Sequence, residues 1–256
     1  MPFSCAEIRR KIVEVGRLLY QKGWVAANDG NITVRLDADH ILATPTGVSK
    51  GMMSEDDLII CDLAGNKVEG RRERTSEILM HLTIYEMRPD VRSVVHAHPP
   101  VATGFAVAGR ALDQALLPEV IVNLGCVPLA AYGLPGTSEL SETLRPFIPE
   151  YDALLMANHG AVAYGVDLER AFFNMETIEH VAKITLIAEL LGGPKSLNEE
   201  EVQKLCDARE RYGLPLRSSI VPVCRPAAAE DDDRSSRYVT RGELMTLLDE
   251  LLKVKG

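Results

Sequence analysis

Along the first twenty residues the apolar positions Ile8, Ile12, Val15 and Leu19 recur at three- and four-residue intervals with Arg9, Arg10 and Lys11 between them. That spacing predicts an amphipathic helix, and Ser4 with Glu7 forms its capping box. The rhythm then changes. Gly30 to Leu36 alternates with a period of two and His40 to Thr44 alternates again across a polar turn, as the strands of a hairpin do. A short acidic turn over Ser54 to Asp57, a strand over Leu58 to Asp62 and a tight turn at Ala64-Gly65-Asn66 follow. Helical spacing returns from Thr75 to Met87 (Ile78, Leu82, Tyr85), and Pro89 stops it just before a strand over Val91 to His98. Further on, Ala153 to Met156 and Ala161 to Tyr164 read as strands joined by the turn Asn158-His159-Gly160. A long helix from Asp167 to Leu191 is stopped by Gly192-Gly193-Pro194. Irregular alternation of strands and helices, without internal repeat, predicts a mixed α/β fold. Residues 226–237 have linker composition and lead into an amphipathic helix from Gly242. The chain is thus expected to divide into a catalytic domain, 1–225, and a linker with a terminal helix, 226–256.

Composition narrows the function classes. A chain of 256 residues with 46% hydrophobic and 25% charged residues can bury one sizeable core. A net charge of -9 excludes a sequence-independent nucleic-acid binder, which needs a basic face to displace counterions. The first helix lacks the apolar core of a signal peptide, and no run of about 18 apolar residues offers a membrane span. Cys5, Cys61, Cys126, Cys206 and Cys224 show no paired spacing, as expected of free thiols in a reducing compartment. A cytoplasmic protein is therefore expected.

The chemistry concentrates in a few residues. In Val94-Val95-His96-Ala97-His98, positions i and i+2 of a strand face the same side about 6.5 Å apart, which suits two ligands of one ion. Pro99-Pro100 ends the ladder there, and His159 could complete a three-histidine set that leaves a coordination position for substrate. Two satisfied histidines at a strand end are the bland alternative. Glu77, at the start of a helix, could be a fourth ligand, a general base or a charge complementing the helix dipole. His40, His81 and His180 read as structural. Gly30-Asn31, Thr46-Gly47 and Thr75-Ser76 are three turns rich in N–H and hydroxyl donors, the last opening a helix, and together they could cradle a phosphate. No Walker loop and no dinucleotide Gly-x-Gly-x-x-Gly is present.

In order, Gly-Asn-Ile-Thr-Val-Arg, Thr-Pro-Thr-Gly, Thr-Ser-Glu, Val-Val-His-Ala-His and Asn-His-Gly-Ala-Val resemble the motifs of the class II aldolase/adducin family, over roughly residues 6–215. Within it the likeness is to sugar-phosphate aldolases of the L-fuculose 1-phosphate type. The resemblance implies a three-layer α/β/α fold around a mixed, mostly antiparallel sheet. It implies one divalent ion per subunit, zinc first and Mn2+ or Co2+ as alternatives, on His96, His98, His159 and Glu77. Glu77 would also serve as acid/base, and Gly30, Asn31, Thr46, Gly47, Thr75 and Ser76 would hold the substrate phosphate. Tyr212 matches a catalytic tyrosine supplied by a neighbouring subunit in a homotetramer. The implied reaction is reversible cleavage of a ketose 1-phosphate, of the fuculose, ribulose or deoxy type, to dihydroxyacetone phosphate and an aldehyde. One departure stands out: the segment Leu112 to Asn123 lacks the tyrosine that protonates the aldehyde oxygen in the fuculose-phosphate members, and Glu119 is the candidate substitute. Rival readings are a pentulose-phosphate 4-epimerase, a dehydratase or decarboxylase using the same metal chemistry, an adducin-like interaction module, and an unrelated metallohydrolase.

Overall fold

The computed structural model describes residues 5–211. Ser4 of the expected capping box, Cys224, Tyr212 and the linker with its terminal helix therefore lie outside the described residues.

Eight strands form one sheet: β1 (Asn31–Arg35), β2 (His40–Ala43), β3 (Ile59–Asp62), β4 (Lys67–Glu69), β5 (Ser93–Ala97), β6 (Leu129–Ala130), β7 (Ala153–Met156) and β8 (Gly160–Gly165). Their spatial order is β4-β3-β2-β1-β5-β8-β7-β6. Every pairing is antiparallel except β6 with β7. The helices are α1 (Cys5–Gln21), α2 (Ile78–Met87), α3 (Pro100–Val107), α4 (Pro118–Asn123), α5 (Ser138–Leu144), α6 (Leu168–Leu190) and α7 (Glu199–Arg211).

Period-two alternation divides the strands between two cores. On one face Ile32, Val34, Val95, Ala97, Ala161 and Ala163 pack with Ile12 and Leu19 of α1, Phe105 of α3 and Met175 and Ile178 of α6. On the other, Ile41, Val94, Leu154 and Val162 pack with Ile78 and Ile84 of α2 and Leu140 and Leu144 of α5. This is the expected three-layer α/β/α arrangement. No helix of the described residues is long and apolar enough to cross a membrane.

The capping chemistry of α6 matches its sequence: the Asp167 carboxylate accepts the Arg170 N–H at 2.7 Å, and Gly192 and Gly193 follow its end with positive φ. The start of α2 differs from expectation. It begins at Ile78 instead of Thr75, because the Thr75 N–H is committed to the Thr44 carbonyl at 3.2 Å and Pro45 bridges to Arg74. The 73–75 segment is thereby held as an extended partner of 44–46 before the helix can start. Pro100, expected only to end the β5 ladder, also opens α3 from its first turn, where proline's missing N–H costs nothing.

Candidate metal centre and anion cradle

Strand β5 delivers His96, and its continuation delivers His98 to the same side, the side of α2. His159 arrives from the turn between β7 and β8, where its N–H bonds to the Met156 carbonyl at 3.1 Å and Asn158 takes a left-handed φ of 55°. Gly160 makes this approach possible, because a Cβ there would stand 2.5 Å from His98 Cδ2 and 2.7 Å from the Ala97 carbonyl. The three imidazoles meet edge to face with ring centroids between 4.7 and 5.3 Å apart. One nitrogen from each falls within 4.8 Å of the others. Glu77, the residue just before α2, faces them, with Oε2 at 3.2 Å from His96 Nε2 and Oε1 at 3.2 Å from His159 Nε2.

These residues fit a divalent cation. His96 is fully buried and its Nδ1 lies 2.9 Å from the Ala161 carbonyl, to which it donates, so the Nε2 lone pair faces inward. His98 Nε2 stands 3.1 Å from that same Nε2, and Glu77 Oε1, buried, accepts no hydrogen bond. Converging lone pairs and a largely buried carboxylate favour a positive charge among them. Without the metal, burial opposes charging His96, but the adjacent Glu77 carboxylate outweighs burial and raises its pKa. Burial pulls the other way on Glu77 too, and the positive charge of His96 with the close approach of both His96 and His159 overrides it, so the carboxyl lies well below its usual range. Burial, then the repulsion of His96 and His159, lowers His98 to about 4. Three nitrogens and one carboxylate oxygen make a donor set suited to tetrahedral zinc, and also to neighbouring first-row ions.

A chain of hydrogen bonds runs to Glu77 from behind. Asn31 Nδ2 donates to Glu77 Oε2 at 2.8 Å, and Asn31 Oδ1 is bonded by His81 Nε2. His81 Nδ1 lies 2.8 Å from Thr33 Oγ1, which in turn lies 2.9 Å from the Tyr85 hydroxyl. With His81 neutral, one assignment of protons satisfies every atom: Tyr85 donates to Thr33, Thr33 to His81, His81 to Asn31, and Asn31 to the carboxylate. Burial keeps His81 in that neutral form, lowering its pKa to about 3. Two expectations change here. The Asn31 side chain, assigned above to a phosphate, is committed to Glu77 and His81. His81, read as structural, orients the amide that holds the carboxylate. Thr33 and Tyr85 carry no site role in the sequence reading, although Glu77, His81 and Tyr85 recur at intervals of four and Asn31 and Thr33 at two, which is the spacing of one helix face meeting one strand face.

The three donor-rich turns are neighbours in space. Thr44 N–H and Oγ1 bond Ile32, each at 3.0 Å, tying the first turn to the second. Thr46 N–H to the Glu73 carbonyl at 3.0 Å, with Thr75 N–H to Thr44, ties the second to the third. Those bonds consume the Thr46 and Thr75 amides, so an anion placed there would be met by Gly47, Ser76 and the side-chain hydroxyls. Gly30 packs against the metal-ligand strand: with φ +69° its Cβ would sit 2.8 Å from the His96 carbonyl. At Gly47 a Cβ would meet nothing within 4 Å, so the turn faces open space. Glu119 is exposed in the first turn of α4, and no bond from it to the histidines occurs among the described residues.

Residues 10–186 match the family described as the Class II Aldolase and Adducin N-terminal domain. A 3-oxo-tetronate 4-phosphate decarboxylase of Pectobacterium atrosepticum is 33% identical over 70% of this chain and 84% of its own. A 5-deoxy-D-ribulose 1-phosphate aldolase of Bacillus thuringiensis serovar kurstaki is 31% identical over 80% of this chain and 96% of its own. Among solved structures, an L-fuculose 1-phosphate aldolase superposes with a TM-score of 0.74 at 31% identity, covering 82% of this chain and 98% of that one.

Proposed function

We propose, starting from the fact that this chain belongs to the class II aldolase and adducin family, that it is a metal-dependent lyase cleaving a ketose 1-phosphate to dihydroxyacetone phosphate and an aldehyde. The observation that carries this is the convergence of His96, His98, His159 and Glu77 beside three turns stitched into one donor-rich cradle. An interaction module has no physical use for that constellation, nor for a hydrogen-bonded chain ending on its carboxylate.

His96, His98 and His159 would hold the ion, with Glu77 as the fourth ligand at rest. The ion, when bound, supplies Lewis acidity that polarises the substrate carbonyl and favours charge developing beside it. Gly47, Ser76 and the hydroxyls of Thr46 and Thr75 would bind the phosphate and so fix the carbon chain against the histidines. Glu77 moves the proton at the carbon next to the carbonyl. The positive charges around it keep it ionised; once substrate separates it from them, its pKa returns toward the ordinary carboxylate range and it can hold a proton. Asn31 donates to Oε2 throughout and limits where the carboxylate can swing. We further assign Tyr212 to the active site of a neighbouring subunit in a cytoplasmic homotetramer; sedimentation, and a kcat lowered in Tyr212→Phe with KM retained, would bear this out.

The test is release of dihydroxyacetone phosphate from L-fuculose, ribulose and 5-deoxyribulose 1-phosphates, with and without chelator, with metal analysis of the purified enzyme. Chelator-sensitive release establishes the proposal, and absence of release across the panel refutes it. A second reading, decarboxylation of a 3-oxo sugar-acid 4-phosphate, is favoured by the Pectobacterium relative's name and by the missing tyrosine in 112–123. Carbon dioxide released from such an acid, with no cleavage of the ketose phosphates, would select it.

A further inference from the structure

We propose that Lys50 is the buried counter-charge of the phosphate cradle, a positioning residue that ties the turn at 28–31 to the turn at 46–50 and supplies the positive charge those turns lack. This rests on the reading that the turns hold a phosphate. Lys50 is 1% exposed, among the largest fully buried side chains described. Its ammonium donates to the Asn28 carbonyl at 3.1 Å and to the Val48 carbonyl at 2.8 Å, one acceptor from each turn. Two of three N–H groups are thereby used, and no carboxylate lies within ion-pair distance among the described residues. Asp29 is the one charged group whose field acts on it, and Asp29 Oδ2 sits instead 3.5 Å from His98 Nδ1. On the far side Gly16 of α1 packs on Lys50, where a Cβ would stand 3.1 Å from its carbonyl oxygen and 3.5 Å from its Cβ.

A buried, unpaired ammonium is costly: burial lowers its pKa to about 8. A fold that only needed the two turns joined could do so with a neutral donor. The cost is recovered when a dianion enters a cradle made otherwise of neutral N–H and O–H groups, because that dianion is then met by a fixed cation behind the turns. Lys50 offers no ligand to the three histidines and bonds only the two turn carbonyls, so metal binding does not need it.

The test uses the metal-loaded enzyme and inorganic phosphate as probe. Lys50→Met and Lys50→Gln should each weaken phosphate binding by about ten-fold or more, equivalent to about 1.4 kcal/mol, while metal content stays at the wild-type level. Thr46→Val tests the cradle itself. If it weakens phosphate binding and Lys50→Gln does not, the Lys50 proposal fails and the cradle stands. If phosphate binding is indifferent to all three substitutions, both fail. A measurement without mutation covers loss of folding in the variants: at pH 8 the wild-type protein should take up protons when it binds sulfate, which does not itself titrate there, read by calorimetry in buffers of different ionisation enthalpy. Sulfate binding without proton uptake overturns the proposal.

Discussion

Replacing Asn31 by leucine tests the hydrogen-bonded chain most directly. The substitution keeps the number and branching of side-chain heavy atoms and removes both amide contacts, the 2.8 Å bond to Glu77 Oε2 and the bond from His81 Nε2. A hydrogen bond to an ionised carboxylate contributes about 1.5 to 3 kcal/mol, and the His81 N–H left buried without an acceptor costs about 1 to 3 kcal/mol. Because His81 is fully buried, no water compensates it, and the sum is a loss of about 2.5 to 6 kcal/mol. Urea unfolding of the metal-free protein, followed by circular dichroism, measures this without the stabilisation a bound ion would add. His81→Leu alone strands the Asn31 carbonyl oxygen and the Thr33 hydroxyl. The double variant removes both partners of the Asn31–His81 bond, and should be less destabilised than the sum of the singles by about 1 to 2 kcal/mol. Strict additivity, or an Asn31→Leu cost below about 1 kcal/mol, would show that the chain does not act as a unit and would remove the reason given for the position of Glu77.

Glu77→Gln should keep its metal through the three imidazoles and lose hydrogen exchange at the dihydroxyacetone phosphate carbon, read by deuterium incorporation; retained exchange assigns the proton to another group. Gly30→Ala places a Cβ 2.6 Å from Val25 and 2.8 Å from the His96 carbonyl at φ +69°, and should cost well beyond the roughly 1 to 2 kcal/mol of left-handed strain that Gly47→Ala meets in open space. Equal thermal shifts for the two would contradict the close packing of the first turn on β5. The His81 pKa is depressed from 6.5 to about 3 in the folded chain, so the unfolded chain binds the extra proton and stability falls as pH drops from about 6.5 toward 3. The metal-free His81→Gln variant should show a shallower decline over that window than wild type; parallel curves would mean that His81 titrates normally.

Much of the fold was legible because it rests on local periodicity. The alternation in β1, β5 and β8 announced strands with two buried faces, the three- and four-residue spacing announced α1 and α6, and His96-x-His98 in a strand already implied two ligands on one side. Those features depend on neighbours within a few residues, and steric preference acts there whatever the rest of the chain does. The start of α2 was misplaced because Thr75 answers to Thr44, a partner in another hairpin. The same holds for the site. Residue type alone nominated the three histidines and Glu77, whose chemistry is distinctive. Asn31, Thr33, His81, Tyr85 and Lys50 are ordinary residues in sequence. They acquire roles only where contacts across some 20 to 50 positions satisfy their donors and acceptors away from water, and a buried polar group's partner is a property of packing that no local pattern encodes.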